Sequence, residues 1–491
     1  MDSPVQIPFK SFIQLKADDA TPIYLQIIFA FIKAIQLGLL PEGTKLPGTR
    51  ILCKLLAINR NTLIKAFQDL ELQGFIEIRP NQGTFILSDQ KQQKPKTGIS
   101  KMDKTTTNGF TFKHSSVLES PLEMSNLPLQ FNDGLPDLRL MHTDILARLY
   151  VAKLKRQKIR QPWEQIQSES HQQFKKQFFN YLNLTRGLRI SAANLLTTTS
   201  HEISLYIVAK LLIAEGDAVV IGSPGYYLSN MTLTDSGAKI VPIPVDDEGL
   251  NLAALKKVCE TQLVRMVYLT SIYHYPTAVY LSAKRRMELL ELASQFGFVI
   301  VEDDYDFDFH LDNNAILPLA AIDADERVVY IGSFARSLPA GFGYGFVVAP
   351  APFIKELEKH RAILEPGFDV IKEQVLTDWI QDGEVHRLSK KNKMAYKVRR
   401  DHFVELLAEK LAGRIRFKVP ARGLAIWVEW LDSFNLIRLQ KKCAENGLFL
   451  PKTLLYQSKS LTATRLGFGG LNEDEMEKAV SVLVKSLDAV V

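Results

Sequence analysis

NRNTLIKAFQDLELQGFIEIRPNQGTFI, residues 59–86, changes its period in the middle. Leu63, Ala66, Phe67 and Leu70 recur at the spacing of one helix face. After Gly74 the spacing becomes two. Phe75, Ile76 and Ile78 precede the turn Pro80-Asn81-Gln82-Gly83, and Thr84, Phe85 and Ile86 follow it. A helix running roughly Arg60 to Gln73 therefore leads into a hairpin. Asn59 suits the N-cap and Gly74 the stop. Arg60, Asn61, Thr62 and Lys65 gather at the first turns of this helix and point away from its apolar stripe.

Two more helices precede it. Thr21-Pro22 opens the first, with a capping residue and then Pro at the first helical position. Ile23, Ile27, Phe31 and Ile35 make its apolar face, and Gly38 ends it. The second runs roughly Arg50 to Leu56, and Ala57-Ile58-Asn59 form the tight turn into the third. Three helices and a hairpin read as a winged helix-turn-helix, the third helix suited to the major groove. Arg60 and Lys65 suit guanine edges or phosphates, and Asn61 suits adenine or the backbone.

Charge agrees with this placement. The chain carries 60 Lys and Arg against 54 Asp and Glu, a net charge of +6. Residues 1–113 hold 15 of the basic and 9 of the acidic side chains, so the whole excess lies at that end. Phosphate contacts supply most non-specific affinity for nucleic acid, and they need such an excess. Six of these lysines, Lys91 to Lys113, sit in a polar stretch and are equally consistent with a solvated tail.

At 491 residues the chain has room for two to four domains. It is 46% hydrophobic and 23% charged, which fits a globular protein with a large core. No apolar run reaches the ~18 residues of a membrane span. MDSPVQIPFK lacks the apolar centre of a signal peptide. Cys53, Cys259 and Cys443 are odd in number and far apart, and fit neither a disulfide framework nor a zinc site. These features predict a cytoplasmic protein without a bound metal. The expected domains are 15–88, a flexible linker over 89–128 rich in Lys, Gln, Thr and Ser, and a large body over 129–491. In the body, strand-length runs such as DAVVIG, RMVYLT, GFVIVEDD and RVVYIGSF alternate with helical stretches. That alternation predicts an α/β fold with a mainly parallel sheet. From about 382 onward a smaller α+β subdomain is expected.

Residues 22–50, PIYLQIIFAFIKAIQLGLLPEGTKLPGTR, together with 59–86, resemble the GntR family of bacterial regulators. The resemblance implies DNA contacts from Arg50, Arg60, Asn61, Thr62 and the wing-tip Gly83. Gly83 also has a physical reason, since a tip pressed on a duplex needs a free φ and no side chain. The body resembles fold-type I pyridoxal-phosphate enzymes. The resemblance rests on FNDGLPD (131–137), GSPGYY (222–227), 273–309, 330–350 and TRLGFGGL (464–471). Both halves together resemble the MocR subfamily, a winged helix-turn-helix fused to an aminotransferase-like domain.

That resemblance implies pyridoxal phosphate as cofactor, with Asp303 opposite the pyridinium nitrogen and Tyr305 beside the cofactor oxygen. It matches Arg465 to the arginine that takes a substrate carboxylate; an exposed structural arginine is the other reading. The imine-forming lysine is missing. The family reads Ser-Phe-Ser-Lys-Thr-Leu where this chain reads Ser333-Phe334-Ala335-Arg336-Ser337-Leu338. A guanidinium stays protonated and offers no amine lone pair, so Arg336 cannot form the imine. Gly343 stands where the family has an arginine for the phosphate. Its Thr-x-Gly-Ser turn reads Thr198-Thr199-Ser200-His201, and its Gly-Leu-His reads Gly423-Leu424-Ala425. No catalytic residue is assigned and no covalent cofactor is expected. Ser200 and Arg336, with Asp303 and Tyr305, remain candidates for non-covalent binding. The expected function is a dimeric regulator of transcription, whose partners are an operator duplex and a small-molecule effector. An active aminotransferase with an added DNA module, and an interaction scaffold with a vestigial one, are the alternatives. Arg336 argues against the first and the basic N-terminal module against the second.

Overall fold

The computed structural model describes residues 9–16, 19, 21–87, 112, 114–141, 143–156, 162–312, 316–334, 336, 338–339 and 341–491. The chain divides into two units, residues 1–112 and 113–491.

The first unit holds α1 (Phe9–Phe12), α2 (Ile23–Gln36), α3 (Thr49–Leu56), α4 (Arg60–Leu72), β1 (Ile76–Arg79) and β2 (Gly83–Ile86). Pro22, not Thr21, takes the cap position of α2, and the Thr21 amide donates to Asp19 instead. Ala57 adopts a left-handed conformation that ends α3. Asn59 caps α4, its side chain accepting from the Asn61 amide at 2.9 Å. Phe31 of α2 meets Phe67 of α4 edge to face at 5.6 Å, and Leu63, Ala66 and Leu70 are buried with them. These side chains fix the angle of α4, because closely packed aromatics leave few alternative arrangements. Phe9 and Ile13 join the same core, so α1 is part of the module.

The body begins with an extended segment. The expected linker over 89–128 lies largely outside the described residues. Its described end is tied down: Glu123 pairs with Lys452 at 2.8 Å and accepts from Gln440. β3 (Leu129–Gln130), α5 (Thr143–Arg156) and α6 (Trp163–Arg186) follow. Next come β4 (Leu195–Thr198), α7 (His201–Leu212), β5 (Ala218–Ser223), α8 (Tyr227–Asp235), β6 (Lys239–Asp246), β7 (Gly249–Leu250), α9 (Leu252–Thr261) and β8 (Val264–Leu269). α10 (Ala283–Phe296), β9 (Val299–Asp304), β10 (Val328–Ser333) and β11 (Gly345–Val348) complete an eight-stranded sheet of order β4-β11-β10-β9-β8-β5-β6-β7. The run β10-β9-β8-β5-β6 is parallel. β11 lies antiparallel to both β10 and β4. β5, β8 and β10 are mostly apolar and almost wholly buried, as expected of a parallel sheet covered on both faces, whereas β9 ends in the carboxylates Glu302, Asp303 and Asp304.

α11 (Ala351–Leu364), α12 (Val370–Gln381) and the long α13 (Glu384–Lys410) lead to a second layer. There β12 (Ile415–Phe417), β13 (Ala425–Trp430), β15 (Leu455–Gln457) and β16 (Thr462–Gly467) build a four-stranded antiparallel sheet, accompanied by α14 (Leu436–Glu445), α15 (Glu473–Asp488) and the short β14 (Leu448–Phe449), which lies outside it. The segment 129–134 is stitched to this layer. β3 pairs with β14, and Asn132 bridges Gly467. A Cβ on Gly467 would stand 2.3 Å from the Asn132 carbonyl oxygen, so only glycine admits that contact. Among the described residues no helix is long and apolar enough to cross a membrane.

Candidate functional site

Five strands that run the same way in the large sheet, β4, β5, β8, β9 and β10, end on one side of it. Ligands of open α/β sheets gather at such carboxyl ends. A cavity of about 280 Å³ lies there. It draws Thr199 and Ser200 from after β4, Tyr226 from after β5, Tyr268 and Thr270 from β8, Asp303 and Tyr305 from β9, and Ser333 and Arg336 from β10. Asp133, from the segment stitched to the second layer, closes it. Asp303, Tyr305, Ser200 and Arg336 are thus brought together, although up to 136 positions apart in the chain (336 less 200).

Their partners were not visible in the sequence. Asp303 is 3% exposed. One of its oxygens meets His201 Nε2 at 2.8 Å, and the other accepts from the Tyr268 hydroxyl. Burial works against an imidazolium here, but the Asp303 carboxylate outweighs it and holds the His201 pKa above its ordinary value. His201 is the first residue of α7.

Arg336 faces Asp306 at 2.6 Å, outside hydrogen-bond alignment, and donates to the Gly134 carbonyl oxygen at 2.6 Å. Its ion-pair partner is therefore Asp306. Burial pushes the Asp306 carboxyl up to about 6, against the pull of Arg336. None of the described lining residues is a lysine.

The start of α7 is engaged as well. Ser200 caps it, the hydroxyl accepting from the Ile203 amide at 3.3 Å. The Thr199 amide donates to Glu365 at 3.0 Å, and its hydroxyl donates to the same carboxylate. A Cβ on Gly345 would lie 2.2 Å from the Ser200 carbonyl oxygen, so β11 crosses tightly under this turn. Helix starts bind anions through free amides. Here Glu365 takes the Thr199 amide just ahead of the helix, and Glu202 adds a carboxylate in its first turn. At the former arginine position, Gly343 offers only a carbonyl, which accepts from Lys372 at 3.3 Å.

Arg465 is wholly buried, which removes the reading of an exposed arginine. Its Nε donates to Asp133 at 2.7 Å and its Nη1 to the Pro276 carbonyl oxygen at 2.9 Å, and it lies over the Tyr275 ring at 4.6 Å. Asp133 thus pairs with the Nε of Arg465, while the Nη2 of Arg465 is buried without a hydrogen-bond partner among the described residues.

The residues present do not fit pyridoxal phosphate as the fold would hold it. The imine position is a guanidinium, the pyridinium partner is bound to His201, and the phosphate end carries carboxylates. No step of imine chemistry follows from this site.

The first unit presents a different surface. Arg50, Arg60, Asn61 and Lys65 are exposed, and Thr62 is half-buried. Asn61 and Lys65 share a face one turn apart. The Lys65 ammonium rests 4.0 Å over the Tyr24 ring, which limits its reach. Gly83 has φ +118° at the wing tip, and a Cβ there would stand 3.0 Å from Lys45 Cε. Lys45 adds positive charge to the wing that the helix pattern alone did not single out, whereas Arg79, over Phe85 at 4.8 Å, is paired with Glu77 at 2.6 Å.

Comparison with known proteins agrees with both halves. Residues 23–86 match the family of bacterial regulatory proteins of the gntR type, and residues 141–483 match aminotransferase class I and II. An uncharacterised HTH-type transcriptional regulator of Bacillus subtilis, YdfD, is 24% identical over 487 residues, covering 97% of this chain and 99% of its own. The probable rhizopine catabolism regulatory protein MocR of Rhizobium meliloti is 24% identical over 482 residues, covering 96% and 94%. Among solved structures, kynurenine aminotransferase of Pyrococcus horikoshii superposes with a TM-score of 0.67 at 21% identity, over 74% of this chain and 91% of its own. With the aminotransferase model over most of its length, the chain belongs to the class I and II aminotransferase family, and it carries a gntR-type regulatory domain at residues 23–86, a combination matched across nearly their whole length by the HTH-type regulators YdfD and MocR.

Proposed function

We propose that the protein is a DNA-binding regulator of transcription whose aminotransferase-shaped body is not an enzyme. The observation that carries this is the pairing of an exposed basic turn on α4 with a guanidinium at the imine position. Arg50, Arg60, Asn61, Thr62 and Lys65 read the duplex from α3 and α4, and Gly83 lets the wing tip approach it. Relatives named as regulators over nearly their whole length support the reading. The body supplies dimerisation and a pocket for a non-covalent effector, and the protein works in the cytoplasm on an operator duplex.

The reading is tested with a reporter fused to the region upstream of the protein's own reading frame. Expression is expected to change several-fold when the protein is supplied. Unchanged expression across growth conditions would count against a regulatory role. Light scattering at micromolar concentration is expected to give twice the 55.5 kDa chain mass, and a monomer would remove the dimer from the account.

A further inference from the structure

We propose that the cavity over Asp303 takes a small aromatic amine, bound as its cation, in place of an anionic aldehyde cofactor. The inference rests on the regulator reading above and names the ligand class of its effector pocket.

Charge is the first argument. Each cationic group that the fold would turn toward a cofactor or substrate is already balanced by the chain: Arg336 by Asp306, Arg465 by Asp133 and His201 by Asp303. Glu202 lines the same cavity, and among the described residues no basic side chain pairs with it. Glu365, outside the lining of the cavity, accepts from the Thr199 amide at 3.0 Å and takes that donor from any anion. The end of the pocket that would hold a phosphate is therefore its anionic end.

The wall is the second argument. Tyr226 and Tyr275 meet at 4.7 Å with their planes inclined at 62°, and Tyr275 and Tyr305 at 6.3 Å with 69°. Arg465 already lies over the Tyr275 ring at 4.6 Å and Arg336 over the Tyr305 ring at 5.4 Å, so Tyr226 is the ring of the three that has no cation of the chain over it among the described residues and can face an organic cation. The Tyr305 hydroxyl is buried and has no partner among the described residues. Buried polar atoms are almost always satisfied in a working state. An ammonium N–H donated to that oxygen would satisfy it. A volume of about 280 Å³ limits the ligand to roughly one ring and a short arm.

The test is calorimetric titration of the full-length protein with phenethylamine, phenylacetate and pyridoxal phosphate in turn. Phenethylamine is expected to bind at least tenfold more tightly than either anion. Glu202→Gln is expected to weaken it about fivefold, and Tyr305→Phe about threefold. Glu202 is exposed, so its replacement is compatible with folding, which an unchanged melting temperature verifies. Absence of amine binding, tighter binding of either anion, or an amine affinity untouched by Glu202→Gln would each overturn the proposal. Gel retardation on the same preparation separates the two readings. Retardation without amine binding ends this inference alone, whereas loss of retardation removes the regulator reading beneath it.

Discussion

Borohydride reduction of the protein in excess pyridoxal phosphate is expected to leave residues 330–350 free of any phosphopyridoxyl adduct, with no visible aldimine band beforehand. The effect is all-or-none because it follows from one atom type. A guanidinium remains protonated at every accessible pH and offers no amine to an aldehyde. Arg336 is further held by Asp306 at 2.6 Å and by the Gly134 carbonyl oxygen. No lysine lines the cavity among its described residues. Peptide mapping is the required readout, since surface lysines react with the aldehyde unspecifically. An adduct mapped to 330–350 would contradict the account of the body.

Arg60→Ala is expected to weaken binding to a specific duplex by about 1–3 kcal/mol, roughly 5- to 150-fold. Arg60 is the first residue of α4 and exposed, whereas Leu63, Ala66, Phe67 and Leu70 form the buried face of that helix. Melting should therefore be unchanged while affinity falls. If Arg60 contacts a base edge, discrimination between duplexes falls with it. If it contacts a phosphate, all sequences weaken alike and the salt dependence becomes shallower. Full affinity for Arg60→Ala would place the interface elsewhere.

The DNA module was legible because its information is local. The spacing of Leu63, Ala66, Phe67 and Leu70, the Asn59 cap and the turn before Gly83 all act within a few residues of one another. The strands of the body were legible for the same reason, as continuous apolar runs. Arg336 was legible only against the pattern of a family, since nothing in its neighbours marks it. What the sequence hid were contacts between distant positions. His201 reaches Asp303 across 102 residues, Glu365 reaches Thr199 across 166, and Asp133 reaches Arg465 across 332. Each depends on where strand ends converge, which spacing along the chain does not encode. Arg465 looked as suited to a surface as to a site because charge usually stays exposed. It is buried because Asp133 and two tyrosine rings enclose it. The polar composition of 114–128 likewise reads as linker, whereas Glu123 fastens that segment to Lys452.

These hidden pairs give the body its meaning. One substitution at Arg336 would leave an inactive enzyme with its other cofactor contacts in place. The engagement of Asp303, Thr199 and Arg465 by side chains of the same protein supports the proposed reading of the pocket as a non-covalent effector site. The DNA-binding surface is then the part through which the protein acts.

The most direct test of that claim is gel retardation of the duplex upstream of the protein's own reading frame, at low salt and without pyridoxal phosphate. The account predicts a discrete shifted band with the wild type, resistant to unrelated competitor DNA and lost with Arg60→Ala. No retardation by the wild type, or a band that unrelated DNA removes as readily, would contradict it.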